Sequence, residues 1–222
     1  MSGKNLLVLA FTLLQLGLWT NVWAYDWSND YGIDLNAGQD ENFRLAETNE
    51  IDTTSTSIGV FANLQGRTEV SSIDLTLGAN STRYSESEID DSDGYNLSLD
   101  TSRRGERLSG SLAVSAASQS TTQTELLDSG NVVDGERETT SIAPGLSYQL
   151  DERNSVFANP NVRDVTYDTV SLVEYTDTKT SVGWGYEFDE ASDLSITLRT
   201  SEYDPEDDEP TDRNSLSLGY KI

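Results

Sequence analysis

The sequence has no cysteine and no histidine. Without cysteine the chain forms no disulfide, carries out no thiolate chemistry and offers no cysteine for a lipid anchor. Without histidine it lacks the commonest general base and the commonest metal ligand. A carboxylate pair such as Asp90 and Asp91 can in principle exchange protons, but adjacent acidic residues are expected by chance in so acidic a chain. The sequence therefore predicts no enzymatic activity.

Basic residues are also scarce. The 222 residues include 14 Lys plus Arg against 39 Asp plus Glu, for a net charge of −25. Nucleic-acid binding depends on Lys and Arg contacts to phosphate, so a nucleic-acid partner is not expected. Only 35% of the residues are hydrophobic, a composition compatible with disorder. The arrangement of the apolar residues on alternate positions favours a folded β protein of one domain instead.

The chain has a single long apolar run, and it is at the start. Lys4 precedes an apolar stretch from Leu6 to Trp19, and Val22-Trp23-Ala24 follows. A basic start, a short apolar centre and compact residues at the −3 and −1 positions are typical of a secretory signal peptide. A membrane anchor is the alternative, but a spanning helix needs ~20 apolar residues. We predict a signal peptide at 1–24, cleaved near Ala24, and one domain at 25–222.

Alternation is clearest between residues 180 and 199. Val182, Trp184, Tyr186 and Phe188 are apolar, while the residues between them are small or polar. After the polar break 189–192, apolar residues alternate again through 194–198. Strict period two on both sides of a short break predicts an antiparallel hairpin with one apolar and one polar face.

The same pattern recurs along the chain and predicts ten strands. The alternating sets lie at 31–37, 58–64, 73–79, 95–99, 108–116, 142–150, 156–162, 182–188, 194–198 and 216–222. Breaks at 65–67, 103–106, 151–153 and 189–192 are short; those at 40–52, 86–93, 121–138, after 162 to about 177 and 203–213 are longer and acidic. Loops that alternate in length, with an even strand number, are the layout of outer-membrane barrels.

We therefore predict an all-β, antiparallel up-and-down transmembrane β-barrel of about ten strands, either complete or part of a larger barrel. Each apolar set covers about seven residues, or ~16 Å of height when tilted, less than the ~25 Å band of such barrels. Aromatic residues flanking the sets complete the band: Tyr31, Tyr95, Tyr148, Trp184 and Tyr220. Pro144 and Pro160 fall inside strands, where we expect bulges or frayed ends. A secreted, soluble β protein is the alternative fold.

Two stretches resemble a known family. The first strand runs into Gly38-Gln39-Asp40-Glu41-Asn42-Phe43-Arg44-Leu45, and the chain closes with Asn214-Ser215-Leu216-Ser217-Leu218-Gly219-Tyr220-Lys221-Ile222. With the repeated long hairpins, these resemble the β-barrel porin 2 family of outer-membrane proteins, which is linked to exopolysaccharide export. The resemblance implies a location in the outer membrane of a Gram-negative bacterium. It also implies contact with lipid and lipopolysaccharide, assembly by the barrel assembly machinery and a polysaccharide as a further partner.

The acidic loops suggest weak ion binding. Their carboxylates are oxygen ligands of the kind that Ca²⁺ accepts, although neither loop has the spacing of a known calcium motif. The candidates are Glu86, Glu88, Asp90, Asp91 and Asp93 in one loop, and Glu206, Asp207 and Asp208 in another. No firm metal site and no cofactor is predicted beyond loosely bound Ca²⁺ or Mg²⁺, and a solvated acidic loop is the alternative.

Alternate residues of the strands are polar, and many of them are small. We predict that these residues line a hydrated lumen. The candidate lumen-lining residues are Asp74, Asn96, Asp100, Asn161, Arg163, Glu187 and Arg199. The predicted function is passive passage of small polar solutes through a porin-like or polysaccharide-export-associated barrel. The alternative is a non-conducting structural or adhesive surface barrel with acidic, ion-binding loops.

Overall fold

The structure is a computed structural model that describes residues 25–41, 52–87, 89–121, 135–169, 171–189 and 192–221. The predicted signal peptide, Glu88, Ile222, residues 42–45 of the family resemblance and the middle of the predicted loop at 121–138 lie outside these ranges. Within them, no helix is long and apolar enough to cross a membrane.

The alternating sets form ten strands, as predicted. They are β1 (Asp26–Asp40), β2 (Thr53–Arg67), β3 (Ser71–Tyr84), β4 (Ser92–Arg104), β5 (Leu108–Ser120), β6 (Glu136–Gln149), β7 (Asn154–Tyr167), β8 (Tyr175–Glu187), β9 (Asp193–Pro205) and β10 (Thr211–Lys221). All ten belong to one sheet in which each strand pairs with the next along the chain. Every pairing is antiparallel. The up-and-down topology is therefore confirmed.

The strands are longer than the apolar sets that predicted them. β4 and β8 each have 13 residues, which corresponds to roughly 43 Å of strand, or ~30 Å of height at a 45° tilt. The difference from the predicted ~16 Å arises because polar, acidic residues continue the backbone ladder beyond the apolar positions. A polar side chain does not prevent its own N–H and C=O groups from pairing.

Several predicted breaks overlap strands for this reason, including those at 86–93, 103–106, 121–138 and 162–177. Residues 65–67 were predicted as a break but belong to β2, which continues to Arg67. Residues 203–213 were predicted as a long loop, but β9 runs to Pro205 and β10 begins at Thr211. The connections therefore alternate in length over most of the chain, whereas the last two, 188–192 and 206–210, are equally short.

The register places the two sets of side chains on opposite sides of the sheet. Val182 lies opposite Ala158 and Leu198, whereas Gly183 lies opposite Phe157 and Thr197. Side chains alternate between the two sides along each strand. The pairings of all ten strands join residues of the same side, so each side continues across the whole sheet. We call the side that carries Val182 the apolar face and the side that carries Gly183 the polar face. Among the described residues no ladder joins β10 to β1.

The prolines interrupt one ladder without shifting it. The β6–β7 pairing stops at Ile142 and Val162 and resumes at Leu146 and Ala158 in the same register. That register places Pro144 opposite Pro160, where neither residue has an N–H to donate. The prediction of bulges or frayed ends at these prolines is wrong: both strands continue through them, and the two prolines share one gap in the ladder, so no extra residue is needed.

Little of the apolar surface is buried within the chain. Ile142 is 6% exposed and packs against Leu112, Val114 and Val162. In contrast, Tyr31 is 76% exposed and Leu216 is 73% exposed on the apolar face. Contiguous exposed apolar surface of this kind is characteristic of a protein that meets a membrane or a partner.

Candidate functional site

The apolar face is an asymmetric band. On β9, Leu194, Ile196 and Leu198 face this side near the short connection 188–192, and the same side becomes acidic at Glu202 and Asp204. Other strands repeat the change toward the ends joined by 41–52, 85–91, 121–135, 168–174 and 206–210. At those ends the apolar face carries Asp93, Glu138, Asp164 and Asp212. We call this acidic rim the collar, and its position limits the apolar band to the opposite end of the sheet.

Aromatic side chains border the band at its other edge. The rings of Trp184 and Tyr186 are 6.0 Å apart, those of Tyr186 and Phe188 are 4.9 Å apart, and Phe188 meets Tyr220 at 6.2 Å. Asn154 Oδ1 accepts a hydrogen bond of 3.1 Å from Trp184 Nε1. The aromatic residues predicted to flank the apolar sets, Tyr31, Tyr95, Tyr148, Trp184 and Tyr220, all have the register position of the apolar face.

The polar face consists mainly of small side chains. All seven residues predicted to line a lumen have the register position of this face: Asp74, Asn96, Asp100, Asn161, Arg163, Glu187 and Arg199. Between them lie residues such as Ser111, Ala113, Ser141, Gly145 and Ser181. Alternation along the strands is enough to place these residues on one face. Their shared face therefore does not test whether they line a lumen, which stays a prediction.

Two phenylalanines lie on the polar face, where the sequence predicted none. A Cβ placed on Gly32 would lie 2.6 Å from the ring of Phe61 across the β1–β2 pair, and one on Gly183 would overlap the ring of Phe157 across β7–β8. Each ring therefore folds down over a glycine on the neighbouring strand. This arrangement keeps a large apolar side chain flat against the sheet and out of the space in front of it.

The register aligns charged residues into three rows across the polar face. The first row begins with Asp30 on β1 and contains Arg163 on β7. The next contains Asp74 and Asp100 on β3 and β4, and Lys179 and Arg213 on β8 and β10. In the first row Asp177 on β8 lies directly opposite Arg163, whereas in the second row the acidic residues lie on β3 and β4 and the first basic residue beyond them lies on β8.

The third row begins with Asp26 on β1 and reaches Arg199 on β9, with Arg67 beside Asp26 on β2. Arg67 is neutralised locally, because its Nη2 is 2.7 Å from Oδ1 of Asp74. On the other half, Lys179 forms an ion pair with Asp177 of its own strand. Arg199 Nη1 donates to the hydroxyl of Ser217 at 3.2 Å.

A second group of residues on this face lies toward the collar. The rings of Tyr175 and Tyr203 are 5.1 Å apart. Arg137 Nη2 donates to the hydroxyl of Tyr175 at 3.3 Å, and its guanidinium lies 5.9 Å from the centre of the Tyr167 ring. Sequence reasoning missed this cluster because all four of its members fall in stretches predicted as loops. Continuing the period of two through 163–167 and 199–203 would have placed Tyr167 and Tyr203 on this face.

The polar face also contains a cleft near the opposite edge. It has a volume of about 430 Å³, and its walls include Arg67, Ser72, Ser102, Arg104, Ser111 and Asn159. Ser72 and Ser102 are joined through their hydroxyls at 2.8 Å. The cleft exists because serine and glycine on adjacent strands leave the space in front of the backbone open.

The acidic candidates for ion binding are only partly brought together. Asp90, Asp91 and Asp93 line a small cleft with Glu136 and Asp168. Asp91 and Asp93 pair with Arg83, at 3.4 and 3.0 Å. Across the described ranges, no three acidic side chains converge in a way that could hold a metal ion. The remaining candidates among these ranges, Glu86, Glu206, Asp207 and Asp208, are exposed in the connections at 85–91 and 206–210.

Comparisons with known proteins bear on the fold. No protein-family profile and no curated protein matches the chain. Among solved structures, the outer membrane channel DcaP of Acinetobacter baumannii matches with a TM-score of 0.60 at 12% identity, covering 83% of this chain. The chain spans 60% of the length of that DcaP chain.

Two structures of OmpT, an outer membrane protein of Vibrio cholerae, also match. The in-vitro folded form has a TM-score of 0.50 at 6% identity and covers 85% of this chain and 75% of that one. The outer-membrane expressed form has a TM-score of 0.50 at 8% identity and covers 89% and 80%. The resemblance to the β-barrel porin 2 family stays a prediction, and at these identities the matches bear on fold alone. The chain has the antiparallel up-and-down fold of outer-membrane β-barrel proteins.

Proposed function

We propose that the chain forms the wall of an outer-membrane channel that passes small polar solutes by diffusion, without catalysis. The observation that carries the proposal is the contrast between the two faces of one sheet. The apolar face exposes Leu, Val, Ile and aromatic side chains in a band, and the polar face carries serine, glycine, alanine and asparagine. A wall of small polar residues leaves room for water, whereas large side chains fill a narrow barrel.

The likeness to the DcaP channel supports the proposal at the level of fold. The location that follows is the outer membrane, reached after cleavage of the signal peptide near Ala24. The partners that follow are lipid, lipopolysaccharide and the barrel assembly machinery. A polysaccharide is a further proposed partner, and it rests on the sequence resemblance alone.

Single-channel recording in planar bilayers tests this function. The purified full chain should produce discrete conductance steps if the polar face borders a water-filled path. Ala113→Trp places a large ring on the polar face of β5 and should lower the unitary conductance. Leu112→Trp, one residue away on the apolar face, is the matched control and should leave conductance unchanged. Silence from an inserted, heat-modifiable protein would refute the channel.

A non-conducting surface barrel is the second candidate. The collar and the cleft lined by Asp90, Asp93, Glu136 and Asp168 favour it, because they gather carboxylates from separate connections at one end of the sheet. In this role Ca²⁺ or Mg²⁺ would bridge the acidic connections and anionic lipopolysaccharide. It predicts no conductance together with divalent-dependent adsorption to lipopolysaccharide.

A further inference from the structure

We propose that the polar face selects zwitterionic solutes, those carrying an ammonium and a carboxylate, because its charges are divided into an acidic half and a basic half. This inference rests on the channel proposed above and names its preferred substrate class.

The division follows strand order. On β1–β4 the carboxylates of the polar face are Asp26, Asp30, Asp34, Asp40, Asp74 and Asp100, and the bases are Arg67 and Arg104. On β6–β10 the bases are Arg137, Arg163, Lys179, Arg199, Arg213 and Lys221, and the carboxylates are Asp177, Glu187 and Asp193. β5 carries no charge on this face. It therefore separates the two halves.

Local pairing sharpens the division. Arg67 is occupied by Asp74 at 2.7 Å, which removes a base from the acidic half. Asp177 is occupied by Lys179, which removes a carboxylate from the basic half. The acidic half then presents five carboxylates and one base: Asp26, Asp30, Asp34, Asp40 and Asp100, with Arg104. The basic half presents five bases and two carboxylates: Arg137, Arg163, Arg199, Arg213 and Lys221, with Glu187 and Asp193.

The polar face is also nearly neutral as a whole, which the rest of the chain is not. More than half of the 14 basic residues lie on it, and its acids and bases almost balance, although the chain has a net charge of −25. The excess negative charge therefore belongs to the connections and the collar. A neutral but divided wall does not favour one sign of ion; it favours a solute that presents a charge of each sign.

The physical effect is orientation of a dipole. Charged groups that line a cavity with low-dielectric walls focus their field into it. A zwitterion whose ammonium points to the β1–β4 half and whose carboxylate points to the β6–β10 half is stabilised at both ends. Unit charges about 10 Å apart in water interact weakly. A few such pairs together correspond to roughly a threefold preference for a zwitterion over an uncharged solute of the same size.

Osmotic swelling of liposomes that contain the full chain tests the preference. The probes are β-alanine, a zwitterion, and glycerol, an uncharged molecule of similar size. One variant neutralises the basic half (Arg163→Gln, Arg199→Gln and Arg213→Gln), and another neutralises the acidic half (Asp30→Asn, Asp34→Asn and Asp100→Asn). The control variant (Glu202→Gln, Asp204→Asn and Asp212→Asn) changes the collar on the apolar side of β9 and β10.

The wild type should admit β-alanine about three times faster, relative to glycerol, than either half-neutralised variant, and the control should match the wild type. The reversal potential in a KCl gradient gives the second readout. Neutralising the basic half should shift selectivity toward cations and neutralising the acidic half toward anions, although both lower the β-alanine preference. Heat-modifiable migration on gels checks that each variant folds, and the single variants Arg199→Gln and Asp34→Asn replace any triple variant that does not.

The outcomes separate the two proposals. If neither probe enters and no conductance is seen, the channel is refuted and this inference with it. If glycerol enters but the β-alanine preference is absent, or survives both neutralisations, the channel stands and the zwitterion preference is overturned.

Discussion

The two faces of the sheet share one backbone but acquire their properties in different ways. The apolar face depends on composition: Val182, Leu198 and their neighbours need only be apolar and exposed. The polar face depends on arrangement, because its charges acquire an order only when the register aligns them across strands. The difference teaches that one face is encoded locally, residue by residue, and the other only in the folded sheet.

Adjacent substitutions on β8 should break this contrast most strongly. Val182→Arg places a charge on the apolar face near the middle of the strand, where a membrane barrel loses about 2–4 kcal/mol. Ser181→Arg, one residue earlier on the polar face, should cost much less because water solvates it. Urea unfolding in lipid vesicles measures both. Equal destabilisation would show that the two faces are not in different solvents.

Glycines on the polar face offer the next largest effect. At Gly183 an added Cβ would overlap the ring of Phe157 and lie 2.8 Å from the carbonyl oxygen of Ile196. Gly183→Ala should therefore destabilise the fold by about 1–3 kcal/mol through overpacking. Gly59→Ala is the matched control, since its nearest neighbour, Asp34 Cβ, is 3.8 Å away. The same unfolding measurement should find Gly59→Ala close to the wild type.

On the apolar face, the indole of Trp184 tests a smaller contribution. Trp184→Phe keeps most of the ring area but removes the hydrogen bond that Nε1 donates to Asn154 at 3.1 Å. The loss should be about 1 kcal/mol. Asn154→Ala in the Trp184→Phe background should then cost less than in the wild type. Additive costs would mean that the two side chains do not act together.

The smallest expected effect lies in the short connection between β6 and β7. Asp151 Oδ1 accepts hydrogen bonds from the N–H groups of Arg153 and Asn154, both at 2.9 Å. The N–H of Arg153, followed by the side-chain amide of Asn154, holds the pKa of Asp151 below its ordinary value. A lowered folded-state pKa contributes stability above the ordinary carboxyl value, and this stability is lost as the pH falls through the folded pKa.

The Asp151→Asn variant should therefore have a slightly smaller free energy of unfolding than the wild type at pH 7. This difference should disappear as the pH falls below about 4. Unfolding in detergent micelles at both pH values measures it. A gap of the same size at low pH would show that the carboxylate charge does not stabilise this turn.

The sequence predicts the strands and their two faces, but it does not predict the order of the charges on the polar face. Period-two alternation around residues such as Val182 and Leu216 predicted the strands and their two faces, because alternation is a local property of the backbone. It underestimated strand length at Thr211 to Arg213, since polarity was interpreted as a loop although polar residues extend a ladder equally well.

The rows of charge could not be predicted in the same way. Asp30 and Arg163 are far apart in sequence, and their alignment is the product of several successive strand pairings. An error of one residue in any pairing would reverse the face of every strand beyond it. The Phe157 ring over Gly183 depends on the same long-range register.

Spin-label accessibility along residues 182–188 tests the two-faced sheet most directly. Labels at positions 182, 184, 186 and 188 should be reached by oxygen dissolved in lipid, and labels at 183, 185 and 187 by a water-soluble nickel complex. The accessibility to each reagent should alternate strictly with a period of two residues. A uniform accessibility along the walk, to either reagent, would contradict it.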